Sequence, residues 1–308
     1  MYDMVIIGGG PAGLSAAIYA GRAGLKTVLI EKKMLGGLTA VTSLIENYPG
    51  FPDGISGPAL IQQMEKQARK WGIKFVTDEV VDIEYDDYKK VVKTKKHIFE
   101  TLTIVIATGS QIKKLGVPGE DKFLGRGVSY CATCDGPLFS DKDIMVVGTG
   151  NSGLQEGLFL LKFVRSITYV EVLPHIFGEK VLADRLKSHK NVRFYLNHIV
   201  IAIEGKDVVT GVRIMNRETK EHYTIPVQGV FIYVGFHPVT QFLKGKKIQI
   251  DGGGYIITDE NMETNVKGIL AIGDVRRKFA KQIASAVGDG ASAVIAAHLY
   301  IDRVKELS

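Results

Sequence analysis

The chain has 308 residues, 45% hydrophobic and 23% charged, which fits a folded globular protein and excludes disorder and coiled coil. At roughly 100–200 residues per domain, that length predicts two domains or one large one. Lys and Arg outnumber Asp and Glu by 39 to 33, too small and dispersed an excess for nucleic acid. No apolar run approaches the roughly 20 residues that cross a bilayer, and Met1-Tyr2-Asp3 enters an apolar run with no signal peptide. A cytoplasmic protein without membrane contact is expected.

The first predicted element is Met4-Val5-Ile6-Ile7, a continuous apolar strand of the kind buried in a parallel sheet. Gly8-Gly9-Gly10-Pro11-Ala12-Gly13 follows at once, with Gly8, Gly10 and Gly13 in G-x-G-x-x-G spacing, and then an Ala-rich helix. Such glycines make a tight turn, let backbone approach a pyrophosphate and let helix pack on strand. The helix N-terminus offers free N–H groups to the phosphates. A second strand, Lys26 to Ile30, ends in Glu31, placed to accept a hydrogen bond from a ribose hydroxyl.

Residues 80–100 alternate Val/Ile with charge and are expected to form hairpin strands, and Thr103 to Gly109 is an apolar strand ending in glycine. Lys32-Lys33 and Lys89-Lys90 are read as solvated surface. Turn formers at Gly116-Val117-Pro118-Gly119 and at His237-Pro238 mark two chain crossings. Between them lie the only two cysteines, in Cys131-Ala132-Thr133-Cys134, followed by Asp135. A C-x-x-C is either redox-active or half of a metal site. With no second cysteine pair and seven scattered histidines, no metal is expected. Asp135 is suited to move the proton exchanged as a disulfide opens.

The opening pattern then returns. Ile144 to Val147 leads into Gly148-Thr149-Gly150-Asn151-Ser152-Gly153, a helix to about Phe163, and a strand ending in Glu171. Glu171 follows Gly153 by 18 positions, as Glu31 follows Gly13. Residues 199–228 read as further hairpin strands, Gly229 to Gly235 and Gly268 to Gly273-Asp274 as glycine-ended strands, and Ala280 to Val304 as helix. The expected fold is α/β, with two Rossmann-like three-layer dinucleotide-binding domains, the second inserted in the first. The expected boundaries are 1–115 with 241–308, and 116–240.

Cys131 to Gly136 resembles the active site of low-molecular-weight bacterial-type thioredoxin reductases. Ile45-Glu46-Asn47-Tyr48-Pro49-Gly50, Ala107-Thr108-Gly109, Gly273-Asp274-Val275, Gln282-Ile283 and Gly288-Asp289-Gly290 match that family in order. The resemblance implies FAD on Gly8, Gly10, Pro11, Ala12, Gly13, Glu31, Gly37, Asn47, Thr108, Gly109, Gly273, Asp274, Gln282 and Ile283. It implies Cys134 against the flavin, Cys131 attacking the partner disulfide, and Asp135 as acid/base. It further implies a homodimer that reduces thioredoxin or a similar small redox protein. Because the cysteine pair must meet both flavin and a protein partner, the inserted domain is expected to rotate at the two crossings.

The second site, Gly148, Gly150, Asn151, Ser152, Gly153 and Glu171, departs from the family. NADPH-using members carry His-Arg-Arg after the strand and a further Arg, where this chain has Glu171-Val172-Leu173 and Phe177. NADPH is therefore doubtful. Glu171 suits NADH, while a lost site suits a non-nicotinamide donor, ferredoxin or a deazaflavin, as the resemblance of Gly36-Gly37-Leu38-Thr39 to some archaeal and anaerobe members suggests. Alternatives to the reductase are a flavin-dependent dithiol oxidase using oxygen and a non-catalytic flavin redox sensor.

Overall fold

Strand β1 (Tyr2–Ile7) holds Met4, Val5, Ile6 and Ile7 buried on both faces, each such side chain stabilising the fold by about 1.5–3 kcal/mol. The structure is a computed structural model and describes residues 1–42, 44–86 and 88–306. After β1 come α1 (Pro11–Arg22), β2 (Thr27–Glu31), α2 (Gly57–Lys70), β3 (Lys74–Thr77), β4 (Val80–Tyr85), β5 (Lys90–Thr94), β6 (Ile98–Ile106) and β7 (Ser110–Ile112). The middle of the chain adds β8 (Val128–Ser129), α3 (Ala132–Asp135), β9 (Asp143–Val147), α4 (Asn151–Leu160), β10 (Ser166–Glu171), α5 (Lys180–Lys187) and β11 (Val192–Leu196). Then follow β12 (His198–Gly205), β13 (Val209–Asn216), β14 (His222–Pro226), β15 (Gly229–Ile232), β16 (Phe236–Pro238), β17 (Ile269–Ala271) and α6 (Ile283–Glu306).

Two units result, residues 1–111 with 237–308, and residues 112–236. In the first, the sheet runs β3-β2-β1-β6-β5-β4, with β17 on β6. β1, β2, β3, β17 and β6 are parallel, while β5 pairs antiparallel with β6 and β4 antiparallel with β5. Helices α1 and α6 approach closely because Gly290 faces α1 backbone; a Cβ there would lie 2.5 Å from the Ala12 carbonyl oxygen. Helix α6, at 24 residues, is long and apolar enough to cross a bilayer. Its apolar stripe, including Ala293, Val294, Ala297 and Ile301, instead joins the core with α1.

In the second unit β11-β10-β9-β15-β8 form a parallel sheet, and β12-β13-β14 a separate antiparallel one. The first crossing lies before Gly116–Gly119. Buried Glu120 accepts the Leu115 and Gly116 N–H groups at 2.9 and 2.7 Å, and Pro118 O accepts from Ile203 N at 2.9 Å. These bonds tie 115–119 to the inserted unit. The crossing strands β7 and β16 pair with each other.

Lys90 is not solvated surface. Strand β5 alternates, so Lys90, Val92 and Thr94 share the buried face. Lys90 is 0% exposed, its Nζ donating to Tyr300 Oη at 2.7 Å. Lys89, on the outer face, pairs with Glu100.

Candidate active site

Both glycine turns are built the same way. Gly8 and Gly148 have φ of 108° and 102°, a region that favours glycine. A Cβ on Gly8 would lie 2.3 Å from Ala107 O, and one on Gly148 2.2 Å from Tyr233 O. A Cβ on Gly13 would lie 2.0 Å from Gly8 O, and one on Gly153 2.3 Å from Gly148 O. The third glycine of each motif thus lets helix meet strand. Gly10 and Gly150 are the N-caps of α1 and α4, and neither helix has a side-chain cap, so the first amides are open to an anion.

The acids that end the second strands differ. Glu31 Oε2 accepts from Gly9 N at 2.7 Å and Oε1 from Lys33 N at 3.1 Å, with the side chain still partly exposed. Glu171 is 6% exposed. Its Oε2 accepts from both Thr149 N and Thr149 Oγ1, at 2.8 and 2.7 Å, and Oε1 from Leu173 N at 3.0 Å. Phe177 N donates to Thr149 Oγ1, and Gly178 N to Thr149 O, drawing residues 177–179 over the turn. Asn151 and Glu179 exchange two hydrogen bonds at 2.7 and 2.8 Å. The cleft there, lined by Asn151, Phe177, Gly178 and Glu179, holds about 390 Å³.

Of the other residues assigned from sequence to the first site, Asn47 and Gln282 are brought together, Asn47 Nδ2 donating to Gln282 Oε1 at 3.2 Å. Ile283 opens α6, and Gly37 opens a 3-10 turn reached through Gly36 at φ 105°. The Thr108 hydroxyl donates to Val239 O at 2.8 Å, and Gly109 takes φ 64°. Asp274 follows Gly273 in a 3-10 turn after β17. Its Oδ1 is buried and has no hydrogen-bond partner among the described residues, and burial pushes its carboxyl up. An orphaned acceptor of this kind beside an uncapped helix N-terminus fits FAD, with Asp274 free to accept from a ribityl hydroxyl.

Sequence reasoning gave Asp289 no role, yet it holds this turn in place. Its carboxylate accepts from Gly273 N at 2.9 Å, Arg276 Nη1 at 3.2 Å and Lys278 Nζ at 3.0 Å. An acid flanked by glycines within an apolar helix was the available signal: buried, it needs cations nearby.

Cys131 and Cys134 lie within disulfide distance, their Cα atoms 5.3 Å apart. Cys131 is the N-cap of α3, and Cys134 N donates to Cys131 Sγ at 3.1 Å. Buried Ser129 fixes the Cys131 backbone from both sides, accepting from Cys131 N at 3.0 Å and donating to Cys131 O at 3.2 Å. Ala132 N donates to Tyr233 Oη at 3.1 Å. Tyr233 was not anticipated; it follows β15 in the glycine-ended strand whose backbone also packs on Gly148. Asp135 closes α3, half-buried, with its N–H on Cys131 O at 3.1 Å. No cluster of three or more His, Cys, Asp or Glu suited to a metal occurs among the described residues.

The pyridine nucleotide-disulphide oxidoreductase family model matches residues 2–290. A thioredoxin reductase from Peptoclostridium litorale is 38% identical over 99% of this chain and 98% of its own. One from Listeria monocytogenes is 40% identical over 99% and 96%. The crystal structure of Lactococcus lactis thioredoxin reductase in its FR conformation is 39% identical, covers 98% of this chain and 100% of that one, and superposes with a TM-score of 0.96. The family implies FAD and a pyridine nucleotide. The chain belongs to the pyridine nucleotide-disulphide oxidoreductases, as a flavoprotein disulfide oxidoreductase whose relatives are the low-molecular-weight bacterial thioredoxin reductases.

Proposed function

We propose that the protein is an FAD-dependent thioredoxin-disulfide reductase working through Cys131 and Cys134. The observation that carries this reading is the Cys134 N–H aimed at Cys131 Sγ. A donor at that sulfur stabilises a thiolate there in the reduced pair, making Cys131 the attacking sulfur. The Cys131 thiolate opens the partner disulfide to a mixed disulfide; Cys134 sulfur then attacks Cys131 and releases the reduced partner. Asp135, one residue beyond Cys134, gives and takes the proton. When bound, FAD supplies the two electrons that return the pair to the dithiol. Gly10, Glu31, Asn47 and Asp274 are the residues proposed to hold it.

NADPH ranks last among donors. Residues 171–173 and 177 are Glu, Val, Leu and Phe, so none of these positions offers a cation to a 2′-phosphate. NADH fits the glycine turn of the second unit. A non-nicotinamide donor, ferredoxin or a reduced deazaflavin, is favoured by one observation: Glu171 is buried and already accepts three hydrogen bonds, two of them from Thr149. Anaerobic reduction of bound flavin, followed by absorbance with NADH, NADPH, reduced ferredoxin and reduced deazaflavin side by side, decides between them. Fast reduction by NADPH alone overturns the ranking. Thioredoxin reduction that survives Cys131→Ser overturns the assignment of the pair.

A further inference from the structure

Helix α4 buries an acid that the exchange reaction described above does not use. Its inward face is Gly153, Leu154, Glu156, Gly157 and Leu160. Glu156 Oε2 is buried and has no hydrogen-bond partner among the described residues. The surrounding core includes Ala132 and Phe139 beside the cysteine pair, Ile144 and Val146 from β9, Tyr169 from β10, and Leu182, Ala183 and Leu186 from α5. The charged residues of α5 (Lys180, Asp184, Arg185 and Lys187) are exposed, and Asp143 of β9 pairs outward with Arg165. The ionisable groups that share the interior with Glu156 are therefore Tyr169, Tyr233 and, on α3, Asp135.

Tyr233 connects the helix of Glu156 to the reaction centre, since a Cβ on Gly153 would lie 3.5 Å from the Tyr233 Cβ, and Tyr169 anchors the same helix. The Tyr169 hydroxyl donates to Gly153 O at 3.0 Å on the same helix. Tyr233 Oη accepts from Ala132 N, the amide that follows Cys131. The negative charge of Glu156, and more weakly that of Asp135, pushes the already buried Tyr233 phenol further up. Burial pushes the Glu156 carboxyl itself up to about 7. Helix α3 packs directly on α4, and Ala132 shares one core with Leu154 and Leu160 of that helix, so a carboxylate in this interior stands on the side from which it opposes a thiolate at Cys131.

Taking Cys131–Cys134 as the exchange centre, we propose that Glu156 is a positioning residue whose protonation is linked to the redox state of that pair. It takes up a proton when the pair is reduced and releases it when the disulfide forms. The balance is explicit for exchange with a dithiol. The Cys131–Cys134 S–S bond breaks, one forms between the two sulfurs of the dithiol, and the dithiol gives up two electrons and two protons. One proton stays on Cys134 sulfur, Cys131 remains a thiolate, and the second proton converts the Glu156 carboxylate to the acid. Net charge is unchanged across the step.

The test equilibrates the FAD-loaded protein with reduced and oxidised dithiothreitol at pH 6 and pH 8. Acid quenching, alkylation and mass spectrometry then count the free thiols. At pH 8 Glu156→Gln, which lacks the opposing charge, is expected to favour the dithiol by about fivefold over the wild type, the effect at that pH of one pKa unit of mutual influence. At pH 6, where Glu156 is protonated, the two should agree, and Glu156→Asp should restore a pH-dependent difference. An equal shift at both pH values, or none, overturns the proposal. Should Glu156→Gln lose bound FAD or helical signal, the wild type alone decides. Its reduced-minus-oxidised infrared spectrum at pH 8, with 13C-glutamate labelling, must gain a protonated-carboxyl band. Absence of that band also overturns the proposal. Failure of the reading beneath it looks different: the wild-type pair would then not exchange with dithiothreitol at either pH.

Discussion

Thr149 donates to one oxygen of Glu171 twice, through its N–H at 2.8 Å and its hydroxyl at 2.7 Å. Gly9, its counterpart, can donate only once to Glu31. One side chain thus goes with the difference between a partly exposed acid, Glu31, and an internal one, Glu171. Glu171→Ala leaves the Thr149 N–H and hydroxyl and the Leu173 N–H without their acceptor in a buried place. The expected loss is about 3 kcal/mol of stability, read as a lower urea midpoint with FAD content unchanged. Glu31→Ala should do the reverse, weakening FAD retention more than folding. Indistinguishable behaviour of the two variants would remove the distinction drawn between these sites.

The two cysteines should fail in different ways. With Cys131 as the attacking sulfur, Cys134→Ser still opens the partner disulfide but cannot resolve it, so a covalent complex with thioredoxin accumulates on a non-reducing gel. Cys131→Ser forms no such complex. Turnover falls roughly a thousandfold or more in both, with FAD absorbance retained. A complex trapped by Cys131→Ser and not by Cys134→Ser would reverse the two roles.

Reading the sequence reached the elements whose cause is local. A glycine whose added Cβ would lie 2.0 Å from a carbonyl oxygen, as at Gly13, announces itself by spacing within one turn. The Asn47–Gln282 contact was accessible only as two motifs of one family, because 235 positions separate the residues. Lys90 was missed because adjacent lysines give no register. Pairing of β5 with β6 decides that Lys90 turns inward, to Tyr300 on a helix 210 positions away. Glu156 looks in sequence like one more helix-surface charge, and only the packing of α3 and β10 beside α4 shows it to be interior. The orientation of Glu171 was hidden for a related reason. It depends on Thr149, a variable place between the first two glycines of the motif.

Asp274 supplies a direct test of the FAD site. Its Oδ1 is buried without a partner, so the protein already carries the cost of desolvating it. A hydrogen bond to a charged acceptor contributes about 1.5–3 kcal/mol. Asp274→Ala should therefore raise the FAD dissociation constant roughly ten- to a hundredfold. Titration of the apoprotein with FAD, followed by quenching of flavin fluorescence, measures this. Asp274→Asn keeps an acceptor oxygen and should lose less. Unchanged affinity in both variants would exclude Asp274 from the site.

Acid sensitivity should concentrate at Asp78, at the edge of the first unit's sheet. The Thr94 hydroxyl donates to its Oδ2 at 2.6 Å, His97 Nδ1 lies 3.1 Å from the same oxygen, and Glu79 N donates to Oδ1 at 2.8 Å. The Thr94 bond above all, with His97 and the backbone amides of Glu79 and Lys96 adding to it against burial, holds the carboxyl down at about 2. Because the folded value lies below the unfolded one, this contribution is complete above about pH 4. It is lost as pH falls from there toward 2, where the folded protein must also take up the proton. The midpoint of thermal unfolding should thus drop more steeply over that interval in the wild type than in Asp78→Asn, with the two curves converging at the acid end. Parallel curves down to pH 2 would show that the Asp78 cluster does not govern acid unfolding.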